Sequence, residues 1–398
     1  PGVISSFSAS SKTTSSVYLT WSAPSGSSSL SIINWTGGSV NISNNFSKLS
    51  YNVTGLTAGV NYTFSVTAVA ADNQTTGAPT KISTFTNPGI VTNLTVYSKT
   101  TSSVYLTWNA PPGNSSLFIV NWTGGSVNTS SKTSNLSYNI TGLTAGVNYT
   151  FIVKAVAADY QTTGATTQIT AFTNPDVVTT LNVSNKTISS LYLTWNPPLG
   201  NSSLFIVNWT GGSVSNSSNT SELNYNVTGL TAGVKYTFSV IAIAADNKTT
   251  GASTHISAFT KPDVVRNLSF SGVTDTSVML DWAAPLGETS FFRVQWISSS
   301  MPSTSLTSAT SFNIANLQPG TNYTFTVSAV AADNTTEGSR VGLSTCTANT
   351  VANILGVVLP IIYSLIIIII IIIIIIIIRH LRRRRLYQNS DQDIAVTE

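Results

Sequence analysis

The 398-residue sequence has one cysteine, two histidines and only 8% charged residues. A single cysteine excludes an intrachain disulfide framework, so any domain here must build its core without covalent staples. With only His255 and His380 available, no metal cluster and no Ser-His-Asp set can be assembled, and no Gly-rich phosphate loop is present either. No metal, cofactor or catalytic residue is therefore expected. Ahead of Arg379, thirteen Lys and Arg stand against eleven Asp and Glu. The sequence pI of about 9.1 thus comes largely from a terminal arginine run and gives no reason to expect nucleic-acid binding. Helical periodicity is also missing outside one apolar stretch.

That stretch is the most biased part of the chain. Ile366–Ile378 is thirteen isoleucines in a row, and residues 354–378 carry no charge. As a helix they span about 37 Å, enough for a hydrocarbon core of about 30 Å. Isoleucine is a weak helix former in water, but in lipid only a helix or a closed barrel satisfies its own backbone. Arg379, Arg382, Arg383, Arg384 and Arg385 follow directly. They read as a stop-transfer signal and predict a type I orientation: residues 1–353 outside the cell, a short basic tail over 379–398 inside. Membrane lipid is then one partner, through 354–378. Tyr387-Gln388-Asn389 and the end Ala395-Val396-Thr397-Glu398 carry only weak signals for peptide-binding modules. The chain opens at Pro1 without an initiator methionine or signal peptide, as expected of a processed chain or a partial sequence.

The rest is a tandem repeat. Trp21, Trp108, Trp195 and Trp282 are spaced by 87 residues, as are Trp35, Trp122, Trp209 and Trp296. Pro1, Pro88, Pro175 and Pro262 keep the step, and so do Tyr62, Tyr149, Tyr236 and Tyr323. The period predicts four copies of one unit at 1–87, 88–174, 175–261 and 262–348, each large enough for its own core. Within a unit, short alternating runs such as Ser103–Trp108 (SVYLTW) and Phe118–Trp122 (FIVNW) are separated by Pro and Gly turns. They read as seven strands of an antiparallel sandwich, with the first tryptophan of each unit and the Tyr of the 87-residue series in the core. Gly142–Tyr149 (GLTAGVNY) places a leucine six residues before a strand-opening tyrosine. This is the pattern of a tyrosine corner, in which the hydroxyl bonds back to upstream backbone.

These residues together resemble fibronectin type III domains. The form nearest the family's is Asn316–Tyr323 (NLQPGTNY), whereas Ala58, Ala145 and Ala232 stand where proline is common. Tyr323–Gly338 (YTFTVSAVAADNTTEG) more narrowly resembles the ectodomain repeats of receptor-type tyrosine phosphatases with one catalytic domain. The resemblance implies an all-β fold of four immunoglobulin-like sandwiches followed by one transmembrane helix. It implies no chemistry for this chain: a tyrosine phosphatase needs a low-pKa cysteine preceded by histidine, and no His-Cys pair occurs.

Twenty-four Asn-x-Ser/Thr sequons precede the apolar run. Among them Asn52, Asn61, Asn73, Asn121, Asn139, Asn148, Asn208, Asn226, Asn247, Asn322 and Asn334 are expected N-glycosylation sites; Asn52, between Tyr51 and Val53, and Asn121, between Val120 and Trp122, are placed on the solvent face by strand alternation. The loops Ala71–Gly77, Ala158–Gly164, Ala245–Gly251 and Ala332–Gly338 hold no Arg-Gly-Asp, and three of the four hold a sequon. They read as Asp- and Gly-stabilised turns capped by glycan. Cys346 falls in register with Phe85, Phe172 and Phe259. It reads as a small buried hydrophobe, the other reading being a thiol that cross-links two chains into a homodimer. Arg266, Arg293 and Arg340 all lie in the fourth unit and read as one contact surface.

The expected function is recognition, adhesion or spacing at the cell surface by a single-pass glycoprotein with an extracellular protein ligand. A second expectation is the ectodomain and membrane part, or a short form, of a receptor-type tyrosine phosphatase.

Overall fold

The computed structural model describes residues 1–38, 40–299 and 301–392; the carboxyl end, 393–398, lies outside the described residues. Each 87-residue unit folds as seven strands. In the second they are Thr92–Lys99, Ser103–Asn109, Leu117–Gly124, Val127–Thr133, Ser137–Thr141, Asn148–Val156 and Thr167–Phe172. The first, second and fifth strands form one antiparallel sheet, and the other runs fourth-third-sixth-seventh; all four units share this order. The chain forms two compact units. The first holds Pro1–Ser184, Tyr192–Asn226 and Thr237–Ser257; the second holds Asn185–Leu191, Val227–Tyr236 and the chain from Ala258 onward.

The strands form because their apolar residues recur with a period of two. On Leu117–Gly124, Phe118, Val120 and Trp122 are buried while Leu117, Ile119 and Asn121 are half-buried. This third strand is central, with Trp122 opposite Phe151 on the sixth strand and Thr129 on the fourth. β-Branched and aromatic residues suit such a half-buried pleated surface. The two inner faces meet over Trp108, whose indole stands edge-on to Phe118 with centroids 5.5 Å apart at 68°. Trp195 with Phe205 and Trp282 with Phe292 repeat the pair at 5.6 and 5.4 Å. The first domain departs from the pattern. Ser31 takes the phenylalanine's place, Trp21 Nε1 donates to its hydroxyl at 3.3 Å, and Phe7 fills the space edge-on to Trp21.

Helix α1 runs Thr350–Gln392, 43 residues, longer than the apolar run and continuing through the arginines. Pro360 lies inside it, and its isoleucines are exposed along the whole run. Gly356–Arg385 is long and apolar enough to cross a membrane, and none of it is buried in the protein.

Candidate functional site

No His, Cys, Asp and Glu group with metal-binding geometry occurs among the described residues. Organised polar structure recurs at the tyrosine corners and at the loops before the last strands.

Each corner is pinned by its tyrosine. The amide of Thr57 donates to Tyr62 Oη at 3.0 Å, Thr144 to Tyr149 at 3.0 Å, Thr231 to Tyr236 at 3.0 Å and Gln318 to Tyr323 at 3.1 Å. A second set of groups, which sequence reasoning missed, completes the corner. Buried Thr173 donates to the Thr144 carbonyl at 2.6 Å and accepts from the Val147 amide at 3.1 Å. Thr86, Thr260 and Thr347 do the same in the other domains. Their own 87-residue spacing was the available signal.

The corner also meets the next domain. Within the first compact unit, the Asn114 amide donates to the Ala58 carbonyl and the Asn201 amide to the Ala145 carbonyl, both at 2.9 Å; within the second, the Glu288 amide donates to the Ala232 carbonyl at 2.9 Å. The backbones are so close that a Cβ on Gly59 would fall on the Asn114 carbonyl oxygen, and one on Gly233 on that of Glu288. Those glycines also hold positive φ, +68° and +74°, so they are required twice over.

The loop before the last strand is a turn closed by its aspartate. In the second domain Asp159 accepts from the amides of Gln161 and Thr162 and from the Thr162 hydroxyl at 3.0, 2.9 and 2.6 Å. Tyr160 occupies the left-handed position with φ +58°, where the other domains place Asn73, Asn247 and Asn334. Asn tolerates that conformation better than a bulky residue. The hydroxyl held by the aspartate faces a lysine at the end of the preceding domain's first strand. Lys12 Nζ donates to Thr162 Oγ1 at 3.5 Å, Lys99 to Thr249 at 2.8 Å and Lys186 to Thr336 at 3.2 Å. Asn87 fixes the donor's backbone by bonding the Lys12 carbonyl at 3.0 Å. In the fourth domain the register position is Val273, and the series stops. The aspartates are correspondingly acidic. Burial opposes the charge of Asp159, but the Thr162 hydroxyl, the two loop amides and Lys12 outweigh it and hold its carboxyl below the usual range. Asp246 follows the same balance with Lys99. Asp72, fully exposed, is lowered to about 2 by the Thr75 hydroxyl and the loop amides.

The expected arginine surface is only half assembled. Arg293 and Arg340 converge on Glu337, at 3.3 and 3.0 Å, and Ser328 donates to that carboxylate at 2.6 Å. Arg266 lies elsewhere, with Nε and Nη2 both on the Ala284 carbonyl at 3.1 Å. The expectation of a buried Cys346 is corrected: the thiol is exposed. It pairs opposite Asn322 at a strand end, where Phe172 pairs opposite Asn148. A long ring there lies half-covered, and a short thiol does not reach that cover. His255 is exposed and bonds Ser253 at 2.8 Å.

The sequon asparagines divide by strand position. Asn52, Asn61, Asn73, Asn139, Asn148, Asn226, Asn247, Asn322 and Asn334 are exposed. Asn121 and Asn208 sit half-buried on the central third strand, and Asn208 Nδ2 donates to Ser239 at 3.1 Å.

The model of the fibronectin type III domain matches residues 2–86, 89–172, 176–259 and 263–341. Receptor-type tyrosine-protein phosphatase eta of Gallus gallus is 38% identical over 309 residues, which is 76% of this chain and 22% of that protein. Receptor-type tyrosine-protein phosphatase H of Homo sapiens is 32% identical over 333 residues, 79% of this chain and 29% of the relative. The chain therefore spans less than a third of either. Among solved structures, a two-domain fibronectin type III segment of chicken tenascin is 22% identical with a TM-score of 0.33, covering 43% of this chain and 99% of that one.

Proposed function

The chain belongs to the fibronectin type III family, and we propose on that premise that it works at the plasma membrane as a single-pass glycoprotein whose four domains provide extracellular recognition, adhesion or spacing. The observation that carries the reading is the succession itself. Four sandwiches of one strand order precede a helix of membrane-crossing length. The arginines that follow the isoleucine run support a type I orientation, with the domains outside and the basic tail in the cytoplasm. The exposed sequons support N-glycosylation of the sheets' outer faces. The faces left between glycans are where an extracellular protein ligand, or a second copy in a homodimer, would bind.

Residues 1–398 carry no catalysis in this reading. The similarity to receptor-type tyrosine phosphatases supports a second one, in which this stretch is the ectodomain and span of such a receptor, or of a short form that binds ligand without signalling.

The deglycosylated mass of the native protein, captured through its domains, separates the two. A mass near 42 kDa favours a non-catalytic surface receptor. Peptides beyond Glu398 with a phosphatase sequence favour the second reading. Protease treatment of intact cells tests orientation: loss of domain epitopes with an intact tail supports type I, and the reverse sinks it.

A further inference from the structure

The fourth domain differs from its predecessors beside the loop asparagine. Phe291, Leu306, Thr307, Ser308 and Asn334 line one surface pocket. Phe291 is 36% and Leu306 51% exposed. In register with Leu306 the other domains place Asn45, Lys132 and Asn219, and in register with Phe291 they place Leu30, Leu117 and Leu204. Here Phe291 and Leu306 together adjoin the sequon Asn334-Thr335-Thr336. This leaves apolar surface open to water beside a polar rim, so covering it is favourable. The root of Asn334 is also fixed. Asp333 accepts from the amides of Thr335 and Thr336 at 3.0 and 2.7 Å. The Asn334 amide donates to the Ala331 carbonyl at 3.0 Å, and the residue sits at φ +58°.

We propose that the shelf is a seat for the N-linked carbohydrate of Asn334, with the first N-acetylglucosamine lying over Phe291 and Leu306. The proposal rests on the glycoprotein reading above. In the modification, Asn334 Nδ2 bonds to the anomeric carbon of a lipid-pyrophosphate-linked oligosaccharide, lipid pyrophosphate leaves and the nitrogen loses one proton. The pyranose then presents a face of C–H groups, and its acetamido methyl, to the ring. This removes apolar surface from water as an aromatic contact does. In the second domain the same loop position is Tyr160, which carries no sequon. In the third, Asn247 has a sequon with Leu204 and Asn219 at the positions of Phe291 and Leu306, which makes it the internal control.

The test uses the full chain expressed in mammalian secretory cells, with site-resolved glycopeptide mass spectrometry. A seated glycan is shielded from trimming enzymes. Asn334 is expected to keep an oligomannose fraction about threefold or more above that of Asn247, the size one aromatic contact gives. Phe291→Ser with Leu306→Lys is expected to abolish the difference, and Leu306→Lys alone to reduce it should the double variant fail to fold. Asn334→Gln is expected to raise binding of a hydrophobic dye, and Asn334→Gln with Phe291→Ser to return it to baseline. Equal processing at Asn334 in the parent and the variants overturns the seat while leaving glycosylation intact. An unmodified Asn334 overturns it too; if the other sequons are also bare, the glycoprotein reading falls with it.

Discussion

Lys99 Nζ donates to Thr249 Oγ1 at 2.8 Å across 150 residues of sequence, joining the first strand of the second domain to the last loop of the third. The acceptor hydroxyl is itself held by Asp246 at 2.7 Å, so the lysine meets a hydroxyl already polarised by a carboxylate. Charge-assisted bonds are shorter and stronger than neutral ones, but this one is only part-buried, so its worth is about 1 kcal/mol. Lys99→Met keeps the apolar stem and removes the charge. It is expected to speed hydrogen exchange of the Lys248 and Thr249 amides about fivefold, with exchange in the fourth-domain loop unchanged. Val273→Lys places a lysine at the register position where no fifth loop faces it, and stability is expected to stay within about 0.5 kcal/mol of the parent. Unchanged exchange in Lys99→Met would show the contact to be incidental.

Acid should loosen the same loops. Asp159, Asp246 and Asp333 have folded pKa values below 3.8, and that of Asp72 is about 2. A carboxyl depressed in the folded state stabilises it above its unfolded pKa, and this contribution disappears as pH falls through the folded value. The loops are therefore expected to be insensitive to pH from 7 down to about 4.5 and to open progressively below about 4. Amide chemical shifts of Gln161 and Thr162 report the transition. A midpoint above pH 5 would contradict the hydrogen-bond account.

The sandwich and its corner were legible because their determinants are local and repeated. Trp108, Leu143 and Tyr149 lie within one 87-residue unit and recur in register. The lysine contact was not legible. Donor and acceptor belong to different units, and one lysine at a strand end looks like any solvated cation. The signal lay in the comparison of units: Lys12, Lys99 and Lys186 keep the step, Val273 breaks it, and Asp-x-x-Thr recurs in the loop each lysine meets. Cys346 misled for a related reason. Register with phenylalanine gave the strand position correctly, but cover at a strand end depends on side-chain length. The arginines misled because sharing a domain does not place residues on one face: Arg266 lies on the first strand, in the opposite sheet from Arg293.

The first domain's core shows a paired exchange that can be tested. Phe7 and Ser31 stand where the second domain has Leu94 and Phe118, so one ring fills the space beside the tryptophan from the opposite side. Ser31→Phe adds a second ring next to Phe7 and is expected to cost about 1–3 kcal/mol by overpacking. Phe7→Leu with Ser31→Phe restores the arrangement of the other domains and is expected to recover most of that loss, so the two changes are strongly non-additive. Thermal denaturation of the single and double variants measures this. Additive losses would mean that Phe7 and Ser31 do not share one space.

Tyr149 tests the corner most directly. Its ring is fully buried, and its hydroxyl accepts from the Thr144 amide at 3.0 Å. Tyr149→Phe keeps the ring and leaves that part-buried amide without its acceptor, which costs about 1–2 kcal/mol. The loss should be local. The Thr144 amide and the neighbouring Thr173 hydroxyl, which donates to the Thr144 carbonyl, belong to one network, so Thr173→Val is expected to cost a similar amount. The double variant should lose less than the sum, because each change already frees the same turn. The Ala145 carbonyl that receives the Asn201 amide of the third domain lies in this turn. Hydrogen exchange at Asn201 should therefore quicken in Tyr149→Phe. An unchanged Asn201 would show that the corner stabilises its own domain without holding the next one.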